Sequence, residues 1–201
     1  PNLDLVKKWI KVTKNLSDKS LKEYLILSSN YQKKEFAKKA LRWSYRVNIL
    51  VNQQDKKVKL FTGAIEALKS ISNKADIMVL SNTPLATLHN DWKKNNLYSY
   101  ISMIGGQETG TKREMLNAAT FKKYDRKRIL IIGDSNSDYL LAKKNNCNFF
   151  PIIPKNEVLS WRLFLTEGSI NFFNEKYSKL YENKLLKNFN ESLNMLPSWK
   201  D

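Results

Sequence analysis

The chain has 201 residues, enough for one α/β core with a helical subdomain, and carries a formal net charge of +16. Its single cysteine, Cys147, excludes an internal disulfide and a cysteine-based zinc cluster. No apolar run reaches membrane-spanning length and no basic stretch with an apolar segment opens the chain, so the expected setting is the cytoplasm, without a membrane partner.

Residues 1–57 read as an all-helical subdomain. Up to about residue 55 there is no Gly and no Pro after Pro1. Leu3, Val6, Trp9 and Ile10 recur at helical spacing, as do Leu21, Tyr24, Leu25 and Leu27. Ser17 or Asp18 caps the second of these helices, residues 31–51 predict a longer third one, and residues 53–56 form the outgoing linker. Lys7, Lys11 and Lys14 share one helix face, and Lys34, Lys38, Arg42 and Arg46 share another. Such faces attract phosphates or nucleic acid. No base-stacking platform or recognition motif accompanies them, and Lys, Asn and Ile are abundant throughout, so composition is the preferred explanation and a nucleic-acid partner is not favoured.

From residue 58 to 154 the period changes to alternating helix and strand. The pattern predicts helix 63–73, strand 75–81, helix 84–95, strand 100–104, helix 112–123, strand 128–133, helix 136–146 and strand 148–152. That alternation requires a parallel sheet with right-handed crossovers, a Rossmann-like α/β core with helices on both faces. His89 lies in a polar helix face and reads as structural.

Three strand ends carry chemistry. Residues 129–138, Ile-Leu-Ile-Ile-Gly-Asp-Ser-Asn-Ser-Asp, end an apolar strand in a glycine turn and place Asp134 and Asp138 one helical turn apart. Ligands bind at the carboxyl ends of such strands. Two carboxylates there suit Mg²⁺, which takes oxygen ligands and shares its shell with phosphates. The bland alternative makes Asp134 a helix cap and Asp138 a solvated first-turn acid. Residues 75–84 end in Ser81-Asn82 before Pro84, where a hydroxyl and free N–H groups can hold a phosphoryl oxygen, unless Ser81 is merely a cap. Residues 110–116 put Lys112 at the head of another helix, where the dipole disfavours a cation, unless it is merely a surface lysine.

In this order the motifs resemble those of the haloacid dehalogenase (HAD) superfamily of hydrolases. Ser81 is similar to that family's second motif, Lys112 to its third, and Gly133-Asp134 with Asp138 to its fourth; Phe61-Thr62-Gly63 resembles the usual entry to the second-motif strand. The resemblance covers roughly residues 58–153 and makes residues 1–57 similar to a helical cap, which in this superfamily closes over the active site. It implies Mg²⁺-dependent phosphoryl transfer through an aspartyl-phosphate. Asp134 would bind the metal, with Asp138 supporting it or orienting the lysine. Ser81 and the Asn82 backbone would hold phosphate, and Lys112 would neutralise charge. Whether Arg113 shares the role of Lys112 stays open.

The family's first motif, an apolar strand running into Asp-x-Asp-x-Thr, has no counterpart here. Asp4 is the early candidate, but no apolar strand precedes it, position 6 is Val and no Gly-Thr follows. No nucleophile is therefore assigned. In this family the first-motif strand is central, so its loss removes ladder partners from mid-sheet. Two arrangements are expected in its place: the 77–80 and 129–132 strands pair directly, or a surrogate strand fills the gap. Because the chain opens at Pro1, a longer product with the missing strand upstream is also expected.

Residues 155–201 return to helix, with Trp161, Phe164, Phe172, Phe173, Tyr177, Tyr181 and Phe189 expected to pack a carboxy-terminal extension onto the core rather than to form a docking surface. Pro151-Ile-Ile-Pro154 with Glu157, Ser160 and Trp161 resembles a feature of one branch of the superfamily. The reading reached is a HAD-like phosphatase of a small phosphorylated metabolite, inactive or nearly so without its nucleophile strand. A non-catalytic phosphate-binding or interaction module, and a nucleic-acid-acting phosphatase or binding protein using the basic cap, are the alternatives. The oligomeric state is not legible.

Overall fold

The computed structural model describes residues 3–13, 17–53 and 59–193. Lys14 and most of the 53–56 linker fall outside these. The chain divides into two compact units, residues 1–56 and 57–201.

The first unit holds three helices, α1 (Leu3–Val12), α2 (Asp18–Leu27) and α3 (Tyr31–Gln53). Ser17 caps α2: its hydroxyl accepts the Ser20 N–H, while the Ser20 hydroxyl accepts that of Ser17. The core of this unit is small. Phe36 meets Trp9 at 6.5 Å and Tyr24 at 6.4 Å between ring centroids, beside buried Leu21 and Ala37.

The second unit runs α4 (Ala64–Ile71), β1 (Met78–Leu80), α5 (Leu85–Lys94), β2 (Met103–Gly105), α6 (Lys112–Thr120), β3 (Leu130–Gly133), α7 (Asn136–Lys144), β4 (Asn148–Pro151), α8 (Glu157–Leu163), a π-helical turn (Phe164–Gly168), α9 (Ser169–Phe173) and α10 (Lys179–Leu193). Every predicted strand is present, and each lies parallel to its partner. The architecture is thus mixed α/β with a Rossmann-like alternation.

The pairing differs from both expected arrangements. β1 pairs with β2 and β3 with β4, as two separate two-stranded sheets; β1 and β3 neither pair directly nor share a surrogate among the described residues. The amino-terminal residues cannot serve as that surrogate, because 3–12 are helical. With neighbours on one side only, the strands are shorter than their apolar runs: β1 spans three residues, although the Ile77 carbonyl still accepts the Ser102 N–H and the Ser81 N–H donates to the Gly105 carbonyl.

Two apolar clusters hold this unit. Phe149, Phe189, Leu186, Ile129, Leu116 and Cys147 form one, against which Leu80 of β1 and Ile131 of β3 both pack. Phe150, Phe164, Ile152 and Ala67 form the other. The carboxy-terminal aromatic series turns inward: Phe164 meets Phe150 at 5.2 Å and Phe189 meets Phe149 at 5.6 Å. α10 also closes the outer edge of β4. Its Glu182 carboxylate accepts the Phe149 N–H at 3.0 Å, and the Tyr177 hydroxyl just before the helix donates to the Phe149 carbonyl at 2.7 Å. Two side chains thus replace the next strand. The Pro-Ile-Ile-Pro turn is locked in the same manner, since the Ser160 hydroxyl accepts the Ile153 N–H and donates to the Asn156 carbonyl.

Candidate functional site

The site is built on the carboxyl ends of β1 and β3 and the heads of α6 and α7. β3 ends at Gly133, and the turn after it feeds α7 through Ser135, whose hydroxyl faces the Asp138 N–H. A Cβ on Gly133 would collide with the Asp138 side chain, so glycine is what allows that carboxylate to fold back against the strand end. Asp138 is consequently buried, at 6 % exposure.

Both of its oxygens are engaged. Lys112 Nζ donates to Asp138 Oδ1 at 2.6 Å, and the Ser135 hydroxyl donates to Oδ2 at 2.6 Å. This pairing ties the head of α6 to the first turn of α7, and it displaces both bland readings of those residues. Asp138 is not a solvated acid, and Lys112 is not a free surface lysine. Asp134 is not the helix cap either; Ser135 is. The lysine is supported from behind by a capping box, with the Thr111 hydroxyl accepting the Glu114 N–H and the Glu114 carboxylate accepting from the Thr111 N–H and hydroxyl. Those bonds hold the Glu114 carboxyl below its usual range. Arg113, next in sequence, is exposed.

Asp134 is exposed at the tip of β3, and among the described residues it makes no hydrogen bond or ion pair. Its carboxylate is open to an incoming cation. Mg²⁺ needs only one or two protein carboxylates because it keeps several waters, so Asp134 fits it as a direct ligand; Asp138, with its oxygens on Lys112 and Ser135, fits better as the group that holds the lysine. No cluster of three or more His, Cys, Asp or Glu side chains suited to a metal occurs among the described residues.

Ser81 is half-buried, and its Oγ accepts the Thr83 N–H at 3.1 Å, leaving its own O–H to donate. Pro84, not Ser81, occupies the cap position of α5. Asn82 is exposed. Neither makes a hydrogen bond or ion pair with Lys112, Asp134 or Asp138 among the described residues. The first N–H of α5, that of Leu85, is taken by the Glu108 carboxylate at 2.8 Å.

Among known families, the model of the haloacid dehalogenase-like hydrolases matches residues 3–152, well over half of the chain. The chain belongs to that family. The match takes in the helical unit as well as the α/β core, and leaves the carboxy-terminal helices outside it. No curated protein and no solved structure matches this HAD-like hydrolase.

Sequence reasoning on this HAD-like chain passed over Ser135 and Glu182, and read Tyr177 for its ring alone and not for its hydroxyl. Ser135 stands three before Asp138, a spacing that signals a capping box and could have been read. Glu182 and Tyr177 carry no such signal, because what they bond is a strand edge remote in sequence. His89 stacks on Tyr98 with ring planes 4° apart and hydrogen-bonds its hydroxyl, a structural pairing. Of the basic residues on α3, Lys38 pairs with Glu35 at 3.1 Å, while Arg42 and Arg46 lie with Lys39 and exposed Trp43 along one face of the helix. No described helix is long and apolar enough to cross a membrane.

Proposed function

We propose that this HAD-like hydrolase is a Mg²⁺-dependent phosphatase of a small phosphorylated metabolite, working with a nucleophilic carboxylate on a segment outside residues 1–201. The observation that carries the reading is the Lys112–Asp138 contact of 2.6 Å beside an open Asp134 at the same strand end. Asp138 holds the Lys112 ammonium in one place, where it offsets charge on a bound phosphoryl group and on an incoming carboxylate. The Ser81 O–H and the Asn82 N–H are donors suited to the remaining phosphoryl oxygens. Asp134 is the ligand for Mg²⁺, which when bound would polarise the phosphoryl group. Lacking its own nucleophile, the chain by itself is expected to be inactive or nearly so.

Phosphatase activity on an aryl phosphate with Mg²⁺ tests this, comparing the chain with a form carrying an added apolar strand that ends in Asp-x-Asp-x-Thr. Activity confined to the extended form supports the reading. Silence in both, with phosphate binding retained, supports a non-catalytic phosphate-binding module. A separate measurement isolates the metal: Asp134→Asn should abolish Mg²⁺ binding by titration calorimetry, whereas Arg113→Ala should leave it unchanged. Equal loss in the two variants would place the cation of the third motif elsewhere.

A further inference from the structure

We propose that Glu108 is a positioning residue of the phosphate site: its carboxylate takes the anion place at the head of α5 and holds the Ser81–Leu85 turn, leaving the Ser81 O–H and the Asn82 N–H as that turn's donors to phosphate. The bonds along the turn carry the inference. The Ser81 N–H donates to the Gly105 carbonyl at 3.0 Å, the Thr83 carbonyl accepts the Gln107 N–H at 3.0 Å, and the Leu85 N–H donates to the Glu108 carboxylate at 2.8 Å. Alternate residues 81, 83 and 85 are thus fastened to one stretch, 105–108. The Thr83 N–H is used inside the turn, on Ser81 Oγ at 3.1 Å, which keeps the Ser81 proton free to donate. Among the described residues no hydrogen bond engages the Asn82 N–H.

Packing gives a second, independent observation. Gly106 is buried, and a Cβ there would lie 2.7 Å from Leu85 Cα and 2.8 Å from its N. Glycine at 106 is what brings the 105–108 backbone against the first residue of α5, since those backbone atoms cannot swing aside as a side chain could. The 3₁₀ turn Gln107–Thr109 that carries Glu108 is closed on itself: the Thr109 N–H donates to the Gly106 carbonyl at 3.0 Å, and the Thr109 hydroxyl accepts the Gly106 N–H at 3.2 Å. Glu108 is therefore presented from a fixed support. Pro84 at the cap position of α5 makes no side-chain cap bond, and Glu108, 23 positions from Leu85, supplies it instead.

The consequence reaches the ligand. A helix head attracts anions. With the chain's own carboxylate on the first N–H of α5, a phosphoryl oxygen is turned away from that head and left with Ser81 and Asn82. That the ligand is a phosphate rests on the function proposed above, whereas the clamp on the turn does not.

The test compares wild type with Glu108→Gln, which keeps a carbonyl acceptor without the charge, with Glu108→Ala, and with Asp125→Ala. Asp125 accepts the Lys127 N–H at 2.8 Å ahead of β3, so its loss removes a similar cap at the other end of that strand. Affinity of the whole chain for inorganic phosphate, by titration calorimetry, should fall roughly fivefold in Glu108→Ala, the equivalent of one lost cap, and stay within about twofold of wild type in the other two. Tighter binding by either Glu108 variant would mean that the carboxylate only repels anions. An equal fall in Glu108→Gln would assign the effect to charge, and an equal fall in Asp125→Ala to general destabilisation; any of the three overturns the proposal. Amide hydrogen exchange separates the clamp from the ligand, because Leu85 and Thr83 should both exchange faster in Glu108→Ala and neither in Glu108→Gln. Acceleration at Leu85 alone would show that the bond does not reach Ser81 and would overturn the positioning role. A wild-type chain that binds no phosphate, with the exchange pattern as expected, would uphold the clamp and count against the phosphatase reading.

Discussion

Lys112 reaches from the head of α6 to the first turn of α7, and the contact works because Asp138 is held by Ser135 and made room for by Gly133. Lys112→Met would leave a buried carboxylate with one partner. Chemical denaturation should show a loss of about 2 kcal/mol, against less than about 0.5 kcal/mol for exposed Arg113→Ala. If the two variants lose equally, the 2.6 Å contact contributes nothing to the fold. Cys147 belongs at this scale too. It is buried in the Phe149 cluster and its thiol is pushed up by desolvation, so it acts as a core residue rather than a reactive one.

At the scale of elements, the edges of the two sheets are treated differently. Glu182→Ala removes the carboxylate that accepts the Phe149 N–H and opens a buried strand edge; the expected cost is about 2 kcal/mol in denaturant unfolding, with Tyr177→Phe costing about 1 kcal/mol. Faster amide exchange at Phe149 in Glu182→Ala alone would identify the edge as the cause. Where β1 and β2 begin, Asp76 gathers Tyr124, Lys123 and Ser102. The Tyr124 hydroxyl, then the Lys123 ammonium, lower the Asp76 carboxyl below its usual value. A carboxyl with a lowered native pKa stabilises the fold above its unfolded value, and that contribution is lost as pH falls through the native one. Wild type should therefore melt higher than Asp76→Asn at pH 7, and the difference should begin to shrink as pH drops below the unfolded value of about 3.8 and vanish only below the lower native one. A gap in melting temperature that persists at the lowest pH would refute this.

For the whole molecule, the charge of +16 governs encounters more than the fold. Lys38 is partnered by Glu35, and Lys33 lies 6.0 Å from the Tyr24 ring, so part of the basic face is spent locally. Oligonucleotide binding should be weak, steeply salt-dependent and no tighter than that of an unrelated protein of equal charge. Sequence preference, or affinity that survives physiological salt, would instead favour a nucleic-acid role for the Lys39, Arg42 and Arg46 face of α3.

Local patterns carried much of this protein's description. Helical spacing and a Gly-free stretch marked the first unit, alternation marked the core, and Gly133-Asp134, Lys112 and Ser81 marked the strand ends, because periodicity and turn chemistry are written over a few adjacent residues. Which strands pair was decided elsewhere. Pairing depends on partners far apart in the chain, so the sequence could say that a central strand was lacking but not whether the sheet would close over the gap. Tertiary structure left it split, because packing on a shared cluster holds β1 and β3 in place without a ladder between them. It likewise joined Lys112 to Asp138, 26 positions away, and closed β4 with Glu182, 33 positions from Phe149. Contacts at that separation leave no periodic trace in a sequence; they exist only once the elements have packed.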